Sequence, residues 1–190
     1  MKWAVRAVGL ALLFACTFAA ADEYDDTIKV FKQAGESGKF FEKSYGYAVF
    51  PTIGKGGVGV GGAYGKGRVY MHGKHVGDTS MTQLTAGLQL GGQAYSQIIF
   101  FEDKRAFDEF TNGNFEFGAE ASAVAITAGA EAGASTAGIT ASKSAGQHDA
   151  DTKGKYQKGM AIFTVAKGGL MYEAAVGGQK FSYKPIGEKK

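Results

Sequence analysis

The hydrophobic pattern at the start of the chain is helical. In residues 22–38 the apolar side chains of Tyr24, Ile28 and Phe31 recur at a spacing that places them on one helix face. Acidic residues stand at the beginning of this segment and lysines follow later, which is the order that the helix dipole favours. A glycine near residue 35 or 38 is suited to end the helix. The pattern therefore predicts one amphipathic N-terminal helix.

From residue 45 onward the pattern becomes strand-like, because aromatic and β-branched residues alternate with small ones. Pro51 is expected to stop the first strand or to place it at a sheet edge. Glycines predict turns at residues 65–67 and 72–74. The last three of the predicted strands are expected to form a meander. The predicted strands are 45–50, 55–64, 68–71, 84–95, 97–101, 115–127, 159–166, 170–176 and 180–183.

Between these strands, residues 103–110 predict a short helix with Phe107 and Phe110 facing inward. The chain has 30 glycines and only 2 prolines, a ratio suited to tight turns and close strand packing. We therefore predict an α+β, mainly β fold: an antiparallel, glycine-rich barrel or sandwich with an N-terminal helix and one short internal helix. Residues 129–147, rich in small side chains, are either a strand pair or a loop.

The first 21 residues have the features of a secretory signal peptide. Lys2 and Arg6 precede an uncharged apolar run over residues 7–15, and three alanines ending at Ala21 supply a cleavage site. We expect export to the periplasm or outer envelope, followed by a single domain over residues 22–190. The alternatives are a retained N-terminal anchor and lipoprotein processing at Cys16. After cleavage at Ala21 no cysteine remains, which excludes disulfides and thiol chemistry.

Charge is unevenly distributed along the chain. The formal net charge is +3, which does not indicate bulk nucleic-acid binding. Residues 29–74, however, contain eight basic side chains and only two acidic ones. A field of this kind attracts an anionic surface without a high overall isoelectric point, although an ordinary mixed surface would explain it as well.

The chain contains no convincing catalytic, cofactor or metal motif. Residues 57–62 match G-x-G-x-x-G formally, but a strand rather than a helix is predicted to follow, so we predict no nucleotide site. His72 and His75 flank a predicted turn without a third ligand, which gives no metal site. A triad of Ser142, His148 and Asp151 has nothing to fix its geometry. We expect a protein that is not an enzyme and needs no cofactor.

Three stretches resemble the SYLF domain, a family of lipid-binding proteins. They are residues 47–67, with YAVFPTIGKGGVGVGGAYGKG; residues 87–101, with GLQLGGQAYSQIIFF; and residues 167–171, with KGGLM. The order of these motifs is fairly specific, and the resemblance covers about residues 40–184, the expected β-rich core.

The resemblance implies binding of anionic phospholipids through basic surface residues and an N-terminal amphipathic segment. Lys55 and Lys66 fall inside the matched motif, and Lys39, Lys43 and Arg68 lie near it. The segment is the helix strip of Tyr24, Ile28 and Phe31, which we assign to membrane contact; packing of the strip onto the β core is the alternative.

We therefore expect non-enzymatic binding of an anionic phospholipid membrane surface in the cell envelope, with no nucleic acid or nucleotide as a partner. Two other functions stay open. The first is a structural protein whose β surface meets an envelope protein partner, and the second is a small-molecule carrier with a cavity inside a barrel.

Overall fold

The computed structural model describes residues 22–87, 92–126, 155–167 and 176–187. The predicted signal peptide, the small-residue run at 129–147 and all but the last residue of the predicted strand 170–176 lie outside these ranges. The helices are α1 (Glu23–Gln33), α2 (Gly35–Gly38) and α3 (Lys104–Thr111). The strands are β1 (Gly46–Met71), β2 (Lys74–Gly87), β3 (Gln93–Phe101), β4 (Phe115–Glu116), β5 (Val124–Ile126), β6 (Met160–Lys167) and β7 (Gln179–Pro185).

The predicted N-terminal helix is present as α1 and the single turn of α2. Asp22 caps α1, because its side chain accepts a hydrogen bond from the backbone N–H of Tyr24. The helix ends at Ala34, which has an extended backbone. Ser37 in α2 then donates a hydrogen bond of 2.6 Å to the carbonyl oxygen of Phe31, which fixes the second helix against the first.

The seven strands form one sheet in the order β4-β7-β2-β1-β3-β6-β5. Every ladder is antiparallel except the one between β5 and β6. The sheet curls into a half-barrel, which confirms the predicted mainly β fold with an N-terminal helix and a short internal helix. Its hollow side is called the inner face below, and the side that carries α1 is called the outer face.

The long strand β1 doubles back on itself. Its first half, to Lys55, pairs with β3, and its second half, from Gly59, pairs with β2. The two halves lie side by side, because the rings of Tyr47 and Tyr70 stack with centroids 5.0 Å apart. A methyl group added at Gly67 would also lie 2.8 Å from the carbonyl oxygen of Val49. The half-barrel therefore contains a glycine-rich hairpin at its centre.

Several predicted strand boundaries are wrong, for identifiable reasons. Pro51 does not stop the first strand; β1 runs through it with a shift of register between Phe50 and Ile53. Residues 65–67 are not a turn, since Gly65 pairs with Met81 inside the β1–β2 ladder. The glycines there serve close packing on the first half of β1.

The last strands do not form a meander. Strand β6 pairs with β3 and β7 pairs with β2, so the two lie on opposite sides of the central hairpin. The predicted strand 115–127 is present only as β4 and β5, separated by a turn. By contrast, the turn at residues 72–74 is confirmed at His72 and Gly73, where both backbones adopt positive φ angles.

At its centre, the sheet carries apolar side chains on both faces. The inner face packs against α3, and Phe107 and Phe110 face inward as predicted. The outer face packs against α1 and the segment that follows it. Alternate residues of β1 belong to different sides: Phe50 contributes to the inner cluster, and Tyr47 and Val49 contribute to the outer one. The centre of the sheet is therefore buried on both sides.

Candidate functional site

The outer face of the sheet changes character along the second half of β1. Tyr70 is buried under α1, Arg68 lies at the edge of the helix, and Lys66 is exposed. Beyond them Tyr64 and then Val60 are exposed on the same face, because residues two apart share a side of a strand. The face thus passes from a covered aromatic region to cations, and then to an apolar end.

Arg68 fastens α1 to the sheet. Its guanidinium forms an ion pair with Asp22 and lies 4.0 Å from the centre of the Tyr24 ring, a cation–π contact. The hydrogen bond from Arg68, together with the backbone N–H of Tyr24, lowers the pKa of the Asp22 carboxyl. Arg68 is therefore bound within the protein and is not a free cation.

A second polar contact holds the start of α1. The carboxylate of Glu23 accepts hydrogen bonds from the Thr52 hydroxyl at 2.6 Å and from the Lys167 ammonium at 3.2 Å. These two donors lower the pKa of Glu23, with Thr52 the larger cause. The helix is thus tied to both β1 and β6, and Lys167 is a basic residue that the sequence reasoning did not select.

The helix strip assigned to membrane contact packs onto the sheet. Phe31 is fully buried and Ile28 is buried, and both belong to the outer cluster with Tyr47 and Tyr70. Tyr24 is partly buried against the same cluster. The strip therefore has the alternative arrangement that the sequence left open. The physical reason is that the outer face of the central strands is apolar and needs a cover.

The five basic residues selected from the sequence do not form one cluster. Lys43 is exposed just before β1 begins, whereas Lys55 lies nine residues into its first half. At about 3.3 Å per residue, Lys55 is roughly 30 Å along the strand from Gly46, the end of β1 near Lys43. Lys39 is exposed and lies near Glu36, with the charged atoms 3.9 Å apart. Only Lys66 is both well exposed and located on the outer face of the hairpin.

Two further lysines share the outer face with Lys66. Strand β7 places Lys180 opposite Thr82, which itself pairs with Tyr64, and Lys184 opposite Asp78. Directly paired residues share a side of an antiparallel sheet, so these lysines point the same way as Lys66. Within the residues the structure describes, neither Lys66 nor Lys184 forms an ion pair, and Lys180 has only an exposed contact of 3.5 Å with Glu116.

Two acidic residues share this part of the face: Glu116, which pairs with Lys180, and Asp78, which contacts His75 at 3.0 Å. The sequence signal that could have identified the lysines of β7 was their spacing. Residues 180, 182 and 184 alternate with Phe181 and Tyr183, which indicates one polar and one apolar side.

The inner face contains a buried polar group of a different kind. The side-chain amides of Gln97 and Gln179 exchange hydrogen bonds of 2.9 and 3.1 Å, and Gln179 also donates to the Tyr95 hydroxyl at 3.2 Å. Burial raises the pKa of Tyr95 to about 12, so this phenol stays neutral. The group joins β3 to β7 across the hollow of the half-barrel.

Large side chains also lie on the described part of the inner face. Phe50, Phe101 and Phe110 are fully buried there, and Phe181 is nearly so. Within the described ranges, these packed aromatic side chains count against the carrier hypothesis, which requires a cavity. Across the described ranges, no three His, Cys, Asp or Glu side chains come together as metal ligands. In the same ranges, no helix has the length and apolar character needed to span a membrane.

Comparison with known proteins identifies the family. The family profile Ysc84, described as "Las17-binding protein actin regulator", matches residues 82–184, just over half of the chain. The chain is also 32% identical over 158 residues to "Beta cell expansion factor A" of Aeromonas veronii. That match covers 81% of this chain and 51% of the relative, so the chain spans about half the length of the curated protein it matches. The matched range includes β3, α3, β6 and most of β7, and we conclude that the chain belongs to the Ysc84 family, whose domain is the SYLF domain.

Proposed function

We propose that the protein binds anionic phospholipid head groups at a membrane surface of the cell envelope, without catalysing a reaction. The observation that carries the proposal is the outer face of β1, β2 and β7, where Lys66, Lys180 and Lys184 face solvent around uncharged Ser80 and Thr82. Membership of the Ysc84 family is consistent with lipid binding.

The strength of electrostatic binding depends on the number of cations available on this face. A lysine near an anionic bilayer contributes up to about 1 kcal/mol, and the contribution decays over a Debye length of about 10 Å at 0.1 M salt. Two of the three lysines have no ion pair within the described part of the chain, so binding a phosphate group breaks no internal contact there. The Lys180–Glu116 contact is exposed and therefore costs little to exchange.

The test is co-sedimentation with neutral and with anionic vesicles at about 50 mM and about 300 mM salt. The protein is a chain that begins at Asp22 and so retains every described helix and strand. The variant is Lys66→Glu with Lys180→Glu. We expect binding selective for anionic vesicles, weakened by salt, and reduced at least about tenfold in the variant.

The matched control is Lys104→Glu with Lys158→Glu, which reverses two exposed lysines in and beside α3. Their neighbourhood packs on the inner face, so vesicle binding is expected to stay close to that of the parent protein. Arg68 is left unchanged, because its loss would weaken the attachment of α1 to the sheet. Equal binding to neutral and anionic vesicles, or equal losses in variant and control, would contradict the proposal.

A protein partner is the second candidate. The family is described as Las17-binding, which is a protein-binding activity, and the outer face of the hairpin is also a surface that a protein could cover. Binding of an envelope protein that needs no lipid and survives about 300 mM salt would favour this function over lipid binding.

A further inference from the structure

Three apolar side chains are exposed together at one end of the outer face. Val60 and Leu84 expose 73% and 88% of their surface, and Tyr64 exposes 51%. The β1–β2 register pairs Leu84 with Gly62, the residue between Val60 and Tyr64 on that face. Neighbouring positions on paired strands share a side of the sheet, so the three form one surface, which we call the apolar tip.

The side chains around the apolar tip change from charged to aliphatic along the strand. Lys180 lies level with Tyr64, since both positions pair with Thr82, and Lys66 follows two residues farther from the end of the hairpin. Cations therefore flank the tyrosine, and the aliphatic side chains lie beyond it. Lys66 lies six positions after Val60, which corresponds to about 20 Å along the strand, and less in depth when the strand is tilted.

Such a gradient matches the boundary of a membrane. Aliphatic groups enter the acyl region, tyrosines sit at the head-group level, and lysines reach phosphates with their long side chains. Apolar side chains exposed together in one patch are unfavourable in water, and such a patch marks a surface that contacts a protein or a membrane.

We infer that the apolar tip of Val60, Tyr64 and Leu84 enters the head-group and upper acyl region of an anionic membrane while Lys66 and Lys180 hold phosphates. The inference rests on the proposed function and adds to it an inserted surface and an orientation. The hairpin end of the half-barrel points into the membrane, and the end that carries Ile186 points away. The α1 helix stays on the sheet.

The first test uses a dye as a depth probe. A chain beginning at Asp22 contains no cysteine, so Leu84→Cys can be labelled with an environment-sensitive fluorophore at a single site. On anionic vesicles we expect a blue shift and a several-fold rise in emission. The same label at Glu102→Cys, which follows β3 at the opposite end of the sheet, is expected to show neither change.

The second test measures affinity with a neutral substitution. Leu84→Gln is expected to lower vesicle affinity about tenfold, the loss that corresponds to roughly one buried leucine side chain. Much of this loss is expected to persist at about 300 mM salt, since screening acts on the charges and not on apolar burial. The matched control is Ile186→Gln, an exposed apolar residue at the other end of β7, with no expected loss.

The outcomes separate this inference from the proposed function. Failure of the parent protein to bind anionic vesicles overturns both. Binding by the parent with no dye response at residue 84, and with equal affinity of Leu84→Gln, overturns the apolar tip alone. A label already in an apolar environment before vesicles are added would show that the chain itself covers the tip. A change of oligomeric state in Leu84→Gln, measured by sedimentation, would assign the tip to self-association instead.

Discussion

Individual side chains decide how firmly α1 is attached. Asp22 has two roles, since it caps the helix and forms the ion pair with Arg68. Only the second requires a charge on the side chain, because asparagine is as good an N-cap as aspartate. The two roles can therefore be separated by one substitution.

We predict that Asp22→Asn destabilises the protein at pH 7 but not at strongly acidic pH. The folded-state pKa of Asp22 is depressed below its usual 3.8, so its contribution is present above that value and is lost as the pH falls through the folded-state pKa. Urea unfolding of both proteins across this range is the measurement. The midpoints should differ at pH 7 and converge below pH 3.8.

Asp25→Asn is the control, because Asp25 lies in the same first turn of α1 and no ion pair is seen for it among the described residues. Its midpoint should stay near that of the parent at both pH values. A difference for Asp22→Asn that persists unchanged at acidic pH would show that the ion pair does not hold the helix.

At the scale of the element, the doubled strand β1 depends on where its glycines lie. A methyl group added at Gly67 would come within 2.7 Å of the Phe50 ring and 2.8 Å of the Val49 carbonyl oxygen. At Gly54 the same group would meet no atom within 4 Å. The two positions belong to one strand and differ in the space beside them.

Gly67→Ala is accordingly predicted to lower the free energy of unfolding by about 1–3 kcal/mol, as overpacking of a close contact does. Gly54→Ala should be neutral or stabilising by less than about 1 kcal/mol, because alanine reduces the entropy of the unfolded chain. Denaturant unfolding compares the two directly. Equal effects would mean that the halves of β1 are not in close contact.

Local pattern predicts the elements whose partners are near in sequence. Helices α1 and α3, the turn at His72 and the existence of β6 and β7 all follow from spacing and capping residues. Pairing does not, because the alternation at residues 159–166 and 180–183 is the same whether the two strands are neighbours or lie on opposite sides of the hairpin. Likewise, the glycines at 65–67 predict a turn, because the sequence does not show that the first half of β1 packs against them.

The site was less predictable than the fold. The basic character of residues 29–74 is visible in the sequence, but Arg68 is occupied by Asp22 and Tyr24, which are 46 and 44 positions earlier. The exposure of Val60 and Leu84 depends on how far α1 extends over the outer face, and no local signal carries that information. Lys180 becomes a neighbour of Tyr64 only through β2.

At the scale of the whole molecule, the hydrogen-bonded pair of Gln97 and Gln179 joins the two walls of the half-barrel. These residues lie on β3 and β7, which are separated in the sheet by β1 and β2. Both are completely buried. Each amide therefore depends on the other for hydrogen bonds that water cannot supply.

A double-mutant cycle should reveal this dependence. Gln97→Leu and Gln179→Leu are each predicted to cost about 1–3 kcal/mol, since Gln179→Leu removes both partners of the Gln97 amide and Gln97→Leu leaves Gln179 with Tyr95 alone. The double variant should cost less than the sum, with a coupling of at least about 0.5 kcal/mol. Urea unfolding of the four proteins gives the coupling energy.

The comparison cycle is Ser80→Ala with Ser182→Ala, which removes an exposed hydrogen bond of 2.7 Å between adjacent strands. Its coupling should be smaller, because water replaces the lost partner. Additive costs for the glutamine pair would show that the two walls are not energetically joined.

Strands β6 and β7 lie on opposite sides of the central hairpin, and this arrangement slows folding. The Thr79 hydroxyl of β2 donates to the carbonyl oxygen of Ser182 in β7, 103 residues later, so this ladder joins segments that are distant in sequence. Sheets of this kind fold over roughly milliseconds to seconds rather than microseconds. Before β7 pairs with β2, the edge of β2 and the amide of Gln97 lack their hydrogen-bond partners. At that stage the half-barrel that contains the apolar tip is complete on the β3 side only.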